Sequence, residues 1–240
     1  MSINNKKVLC TICARGGSKG VINKNIKILD GLPVICYSLN LIKKSKYIDD
    51  YVISTDSEEI IKIVKEYDFK VEFKRPKELA GDKISRLDVV KHAVKWKETH
   101  ESTKFDIIVD LGVATPLKSH DDLDRCLEVL ENKNCSNVIS VTPSSRNPYY
   151  NMVERVDDKI KIVKTVSGHL TDRRDAPPVY DLNDGFNVWN YDILFSNQPQ
   201  FNEKTEVYIM PPERSIDIDE EIDFIIAESY IKYNQTRNSQ

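Results

Sequence analysis

Two short stretches of this 240-residue chain carry residue types that can handle a polyphosphate. Arg15-Gly16-Gly17-Ser18-Lys19-Gly20 puts three glycines and two cations within one turn, and Lys24 and Lys27 follow before the first acidic residue, Asp30. Glycine lets main-chain N–H groups come close to an anion, and cations without acidic neighbours suit a run of phosphates. Far along the chain, Asp217 and Asp219 stand two residues apart in what reads as extended chain. Side chains at i and i+2 of extended chain share a face, so the two carboxylates can hold a Mg2+ ion that also takes phosphate oxygens and water. The plainer role for Asp219, capping the helix that starts there, leaves Asp217 unexplained.

The commoner phosphate loops fail on spacing. A Walker A loop needs Gly-Lys-Ser/Thr opening a helix, whereas Gly20 is followed by Val21-Ile22-Asn23; a dinucleotide fingerprint needs G-x-G-x-x-G, whereas Gly16 and Gly17 are adjacent. Cys10 and Cys13 form a C-x-x-C, but on a strand residues three apart face opposite sides, and no second pair completes a tetrahedral site. Buried strand thiols are the reading, with Cys36, Cys126 and Cys135 packed or at helix ends. His92, His100, His120 and His169 show no metal or triad spacing, Trp96 and Trp189 read as packing residues, and Asp121, Asp122 and Asp124 read as an acidic helix start.

Regular alternation positions these groups. Val8 to Ala14 is a short β-branched run that reads as a buried strand feeding the glycine turn. Pro33 can open a helix carrying Ile35, Leu39 and Ile42; Tyr51 to Ser54 reads as a strand; Asp56 and Ser57 can cap a helix from Glu58 with Ile60, Ile61 and Val64 inward; Val71 to Phe73 reads as a short strand. Ser85 to His100 and Ser119 to Leu130 read as helices, Phe105 to Leu111 and Val138 to Val141 as strands. This order predicts a Rossmann-like, three-layer α/β domain with a mostly parallel central sheet, in which ligands bind at the carboxyl ends of the strands. After Pro143 the rhythm breaks. Met152 to Val156 and Lys159 to Val163 read as a hairpin, within an inserted excursion over 145–182 of a single domain spanning 1–240. Phe186 to Trp189 and Val207 to Met210 read as strands, and the last helix, from near Asp219, is expected to turn Ile222, Ile225 and Ile226 inward.

Composition removes several classes. Forty per cent hydrophobic and 30% charged residues exclude a disordered chain, and a net charge of −3 argues against a general nucleic-acid binder. No apolar run approaches membrane-spanning length, and the start MSINNKK lacks the apolar segment of a signal peptide. Five cysteines in a chain of this size fit a reduced, cytoplasmic setting.

The stretch CARGGSKGVINKN resembles the A-R-G/Q-x-S-K-G…K-N signature of the cytidylyltransferases that make CMP-activated acidic sugars, the CMP-acylneuraminate and CMP-legionaminate synthetases. Ser54-Thr55-Asp56, Arg75-Pro76 with Glu78-Leu79-Ala80 and Asp82, Pro116-Leu117-Lys118, Arg173 to Tyr180 with Asn183, and Ser215 to Asp219 resemble later motifs in the same order, so the likeness covers nearly the whole chain. It implies transfer of CMP from CTP to an acidic nine-carbon sugar with release of pyrophosphate, Mg2+ on Asp217 and Asp219, and a homodimer built through the excursion. It implies that Arg15 and Lys24 contact the triphosphate, joined by Lys19 and by main-chain N–H groups at Gly16, Gly17 and Ser18. Asn25, Arg75 and Ser85 become candidates for the cytidine. Arg173 becomes a candidate for the sugar carboxylate, Asn183 for its hydroxyls, and Tyr180 a third substrate-binding candidate. No general base stands out, which leaves that part to water.

The departures lie in the sugar half. Gly112 stands where sialate synthetases carry Gln, Asp181 where they carry a second Arg, and Asn183-Asp184-Gly185-Phe186-Asn187 replaces an N-G/A-S-I-Y run. An Asp in place of Arg favours a diamino sugar such as legionaminate over plain sialate. The alternatives are a transferase for the eight-carbon sugar Kdo and a catalytically weakened nucleotide-binding homologue.

Overall fold

The β-branched run after the N-terminus forms β1 (Val8–Cys13), and the chain then alternates much as its periodicity predicts. In this computed structural model, which describes residues 3–17, 20–168 and 170–238, a two-residue ribbon of β2 (Ile28–Leu29) and β3 (Leu32–Pro33) leads into α1 (Val34–Lys44). There follow β4 (Asp50–Ser54), α2 (Glu58–Glu66), α3 (Arg86–Glu101), β5 (Ile107–Leu111), α4 (His120–Asn132) and β6 (Asn137–Pro143). The exposed hairpin β7 (Val153–Val156) and β8 (Lys159–Ile162) comes next. The chain returns as β9 (Tyr180–Asn190), and ends through α5 (Tyr191–Leu194), β10 (Thr205–Ile209) and α6 (Glu221–Asn238). The predicted site residues Ser18 and Lys19, and His169, lie outside the described residues.

The central sheet has the order β10-β6-β9-β5-β1-β4. Neighbours β1–β4, β1–β5 and β10–β6 run parallel, while β9 is antiparallel to both β5 and β6. Side chains alternate across it. Val8, Cys10 and Ile12 enter the core shared with α1, α2, α4 and α6, whereas Leu9 enters the second core with Val90, Ala93 and Val94 of α3. Two cores on opposite faces are what a three-layer sandwich requires. The same alternation separates the C-x-x-C: Cys10 belongs to the first core and Cys13 packs against the second.

Local chemistry sets several helix starts. Ser57 accepts from Ile60 N–H, Ser85 from Leu87 N–H, and Ser119 and Asp122 form a reciprocal capping box. Asp122 is fully buried and does more than cap. Its oxygens also accept from Tyr208 Oη at 2.8 Å and from Arg214 Nε and a terminal Arg214 nitrogen at 2.8 and 2.9 Å.

Two expectations are overturned. Val71 to Phe73 forms no strand; one isolated bridge joins Thr55 to Lys74, and Phe73 instead stacks on Trp96 with ring centroids 4.7 Å apart. In α6, Ile222, Ile225 and Ile226 are exposed, and Phe224 and Ala227 are the buried pair. Both sides of that helix carry apolar residues, so the docking of Phe224 and Ala227 on the core sets its rotation.

Candidate active site at the strand ends

The carboxyl ends of β1 and β5 and the start of α3 enclose a cleft of about 440 Å³, lined in part by Cys13, Arg15, Lys24, Arg75, Asp184 and Asp219. It lies where a parallel sheet leaves room for ligands.

The glycine turn is held from behind by the link between β4 and α2. Asp56 Oδ1 accepts from Gly16 N–H at 2.9 Å, so this aspartate, expected to help cap α2, ties the loop while Ser57 does the capping. The buried Asn25 donates through Nδ2 to Arg15 O at 2.9 Å. At Gly20 a Cβ would sit 2.0 Å from the main-chain oxygen of Asp219, a close approach that only glycine permits. Lys24 completes the junction, donating to Ile218 O at 2.5 Å and to Asp219 Oδ1 at 3.2 Å. The cationic turn and Asp219, nearly two hundred residues apart in sequence, thus share one cleft, whereas Asp217, the other member of the predicted pair, is not among the residues that line it.

The tertiary structure also corrects the charge reading. Arg15 pairs with Asp82 at 2.5 Å, Lys24 with Asp219, and Lys27 with Glu221. Cations without acidic neighbours in sequence acquire them in space. A phosphate entering the cleft therefore exchanges one anion for another, at less net cost to the cation than desolvation alone would impose.

The acidic segment itself lies outside the sheet's strands. Ile218 is fully buried and its N–H donates to Ala114 O at 2.9 Å, which leaves Asp217 and Asp219 on the opposite side. Asp217 accepts from Thr115 Oγ1 at 2.6 Å and from Asp184 N–H at 3.1 Å, while the Asp219 side chain is 78% exposed. Helix capping is done by Asp223, whose Oδ2 accepts from the N–H groups of Asp219 and Glu220. That frees the Asp219 carboxylate for the cleft. The Asp122–Arg214 pair fixes the turn just before this segment. Among the described residues no group of three or more His, Cys, Asp or Glu is arranged to hold a metal. Two carboxylates with spare oxygen lone pairs do fit a hard cation that keeps several waters and takes phosphate oxygens.

The inner wall carries the predicted Arg75 together with groups to which the sequence motifs assigned no role. Arg75 is buried, with Nε on Ser54 Oγ at 2.9 Å and a terminal nitrogen on Ser54 O at 2.6 Å. Arg86 bridges two carboxylates, donating through Nε to Asp110 Oδ2 at 2.6 Å and through a terminal nitrogen to Asp184 Oδ1. Desolvation acts to lower the Arg86 pKa, but Asp110 and Asp184 outweigh it and hold the guanidinium charged. Burial raises the Asp184 carboxyl, against the pull of Arg86 and with Asp217 and Asp110 adding to it. Lys118 is buried, with its ammonium on Ser38 Oγ, Gly112 O and Thr115 O, and burial pulls it down to about 8. Burial likewise pushes the cleft-lining Cys13 thiol far above its usual range, the opposite of an activated nucleophile.

Not every candidate reaches the cleft. Ser85 caps α3 and is not among the residues lining the cleft. Arg173 sits in a short turn of the excursion, donating to Ser144 O at 2.9 Å, and Tyr180 is exposed at the start of β9. Asn183, expected at sugar hydroxyls, is buried and spends its amide internally: Oδ1 accepts from Ser140 Oγ at 2.5 Å and from Gly185 N–H, and Nδ2 donates to Ser215 Oγ at 3.0 Å. Arg86, Asp110 and Asp184 were missed because they come from three separate elements, α3, β5 and β9, and meet only in the fold; only the unusual Asp184, at a place where the motif wants a small residue, carried a signal.

Comparison with known proteins gives the family. The cytidylyltransferase family matches residues 9–238. The post-translational flagellin modification protein B of Campylobacter coli is 41% identical over 226 residues, covering 94% of this chain and 95% of that protein. The CMP-N,N'-diacetyllegionaminic acid synthase of Campylobacter jejuni is 40% identical over 225 residues, again 94% of this chain and 95% of the other. Among solved structures, a CMP:2-keto-3-deoxy-manno-octonic acid synthetase in complex with CTP superposes with a TM-score of 0.67 over 95% of this chain and 99% of that one. At 14% identity that likeness is one of fold. With a family match over residues 9–238 and relatives at about 40% identity over most of the chain, this chain belongs to the cytidylyltransferases and is a nucleotidyltransferase enzyme.

Proposed function

We propose that the enzyme transfers CMP from CTP to a nonulosonic acid, with N,N'-diacetyllegionaminic acid as the preferred acceptor, and releases pyrophosphate. The observation that carries this reading is the Lys24–Asp219 junction across the cleft, in a chain 40% identical to a CMP-N,N'-diacetyllegionaminic acid synthase. The acceptor hydroxyl attacks the α-phosphorus in line. One P–O bond forms, the bond to the β-phosphate breaks, and the hydroxyl proton leaves to water. Such a transfer needs positioning and charge neutralisation more than covalent help.

Arg15 and Lys24 turn from Asp82 and Asp219 to the triphosphate, joined by Lys19, and N–H groups near Gly17 and Ser18 bind phosphate oxygens, while the Gly16 N–H, expected among them, is spent on Asp56. Asn25 and Arg75 border the cytidine. Asp217 and Asp219 would hold Mg2+, which would offset negative charge on the phosphates. Arg173 and Tyr180 lie away from this chain's own cleft, so in this reading the excursion crosses the dimer interface and Arg173 meets the sugar carboxylate at the partner subunit's site, where a planar guanidinium suits bidentate pairing. The hairpin exposes Val153, Ile160 and Ile162, and Tyr150 and Met152 precede it; this apolar surface supports a homodimer formed through the excursion. Among the described residues no helix is long and apolar enough to cross a membrane. We place the enzyme in the cytoplasm, where its five free thiols stay reduced.

The test is pyrophosphate release from CTP with N,N'-diacetyllegionaminate, N-acetylneuraminate and 2-keto-3-deoxy-manno-octonate. Highest kcat/KM with the first is expected. Preference for the eight-carbon sugar overturns the acceptor assignment, and CTP binding without release from any acceptor points to a catalytically weakened homologue. Asp217→Ala should remove Mg2+-dependent turnover and weaken Mn2+ binding, read by electron paramagnetic resonance, while the Tm holds. Light scattering should report a dimer.

A further inference from the structure

Gly112 and Asp184, two positions where the chain leaves the motifs it resembles, prove to be neighbours. A Cβ at residue 112 would lie 1.5 Å from the Asp184 main-chain oxygen and 2.4 Å from its Oδ2. No side chain fits at 112, because the space it would fill is taken by Asp184 coming from the next strand. The approach is built by a bulge in β9. Ile139 pairs with Asn187 and Val141 with Leu182, so four residues of β9, Asn183 to Phe186, stand against Ser140 alone. The Ser140 and Asn183 side chains bond to each other inside the bulge at 2.5 Å and pin it.

Asp184 is also fixed from the side. Its N–H donates to Asp217 Oδ2 at 3.1 Å, and its Oδ1 accepts from Arg86. Arg86 is held in turn by Asp110, and Asp110 by Thr11 Oγ1 at 2.7 Å. The bulge and this relay deliver one carboxylate, 29% exposed, to the cleft wall beside Val113 and Ala114. The other two carboxylates lining the cleft, Asp82 and Asp219, face the cations of the phosphate end. Asp184 faces Arg86 instead, through one oxygen. One guanidinium is shared between Asp184 and Asp110, so the group repels a phosphate, and Oδ2 keeps lone pairs for an N–H or O–H donor.

We propose that Asp184 is a specificity-determining residue that accepts a hydrogen bond from an amide N–H or a hydroxyl of the acceptor sugar at the cleft wall beside Val113 and Ala114. This rests on the sugar-acceptor reading above. An ionised acceptor group makes a stronger bond than a neutral amide, and loss of such a bond costs roughly 10-fold or more in affinity. Asp184→Asn and Asp184→Ala should therefore raise the acceptor KM about 10-fold, leave the CTP KM within about twofold, and lower kcat/KM unequally across acceptors with different amide content. Gly112→Ala alone should lower the Tm, because backbone stands in the way. Gly112→Ala with Asp184→Gly should recover part of it without restoring acceptor discrimination.

Calorimetric titration of N,N'-diacetyllegionaminate into the CTP-loaded enzyme decides the point apart from turnover. Weaker acceptor binding by Asp184→Asn at unchanged CTP affinity supports the proposal. Equal affinity in the two proteins, no acceptor binding by either, or loss of CTP and acceptor affinity together, as a merely structural role predicts, overturns it. Acceptor binding without pyrophosphate release would instead count against the proposed reaction and leave this inference standing.

Discussion

The contact between Gly20 and the acidic segment offers a direct way to break the site without touching a charged group. In Gly20→Ala the new Cβ would start 2.0 Å from the Asp219 main-chain oxygen, while ordinary contact begins near 3.4 Å. The difference, 3.4 − 2.0 = 1.4 Å, must be taken up by separating the glycine turn from Asp219. Lys24, four residues on, donates to Ile218 O at 2.5 Å and to Asp219 Oδ1 at 3.2 Å, and a separation of that size breaks both bonds. A misplacement of about 1 Å costs on the order of 10²-fold in a reaction that depends on positioning. The fold should suffer little. Gly20 is exposed, and alanine restricts the unfolded chain, which stabilises by about 0.4–1 kcal/mol and offsets part of the clash. We expect kcat/KM for CTP to fall about 100-fold in the pyrophosphate-release assay with the Tm within about 3 °C of wild type. Activity within about threefold of wild type at an unchanged Tm would refute the claim that these two segments must touch for catalysis.

Two further outcomes follow from buried groups. Asp122 carries a carboxyl that burial would raise, yet the bonds from Arg214, Ser119 and Tyr208 outweigh this and lower its pKa. Its contribution to stability is therefore complete above the unfolded value of about 3.9 and lost as pH falls through the lower folded value. Asp122→Asn should cost about 3 kcal/mol at pH 7 by urea melts and flatten the acid limb of the stability curve; an unchanged acid limb would show that the pair is not what titrates. All five cysteines are free, and burial raises every one of their pKa values, Cys36 to about 12. An aromatic disulfide reagent at pH 8 should label the native protein slowly and all five thiols at once in denaturant, and rapid native labelling of Cys13 would mean that the cleft thiol is exposed and ionisable.

The alternation of β-branched runs with amphipathic stretches sufficed to predict the layered sheet, because side-chain period reports local burial whatever the partner. It also sufficed to place the glycine turn at the carboxyl end of β1 and to send Cys10 and Cys13 to opposite cores. The excursion announced itself as a hairpin because the period switched there. Period does not name a partner, and that is where sequence reasoning stopped. The Arg15, Lys24 and Lys27 charges met carboxylates 67, 195 and 194 residues away, pairings that no local pattern encodes. The rotation of α6 depended on which of two apolar sides docked, and Phe224 and Ala227 won against three isoleucines. Gly112 and Asp184 read as two separate oddities until the bulge in β9 set one inside the other. An empty position in a chain acquires meaning only when folding shows what fills it.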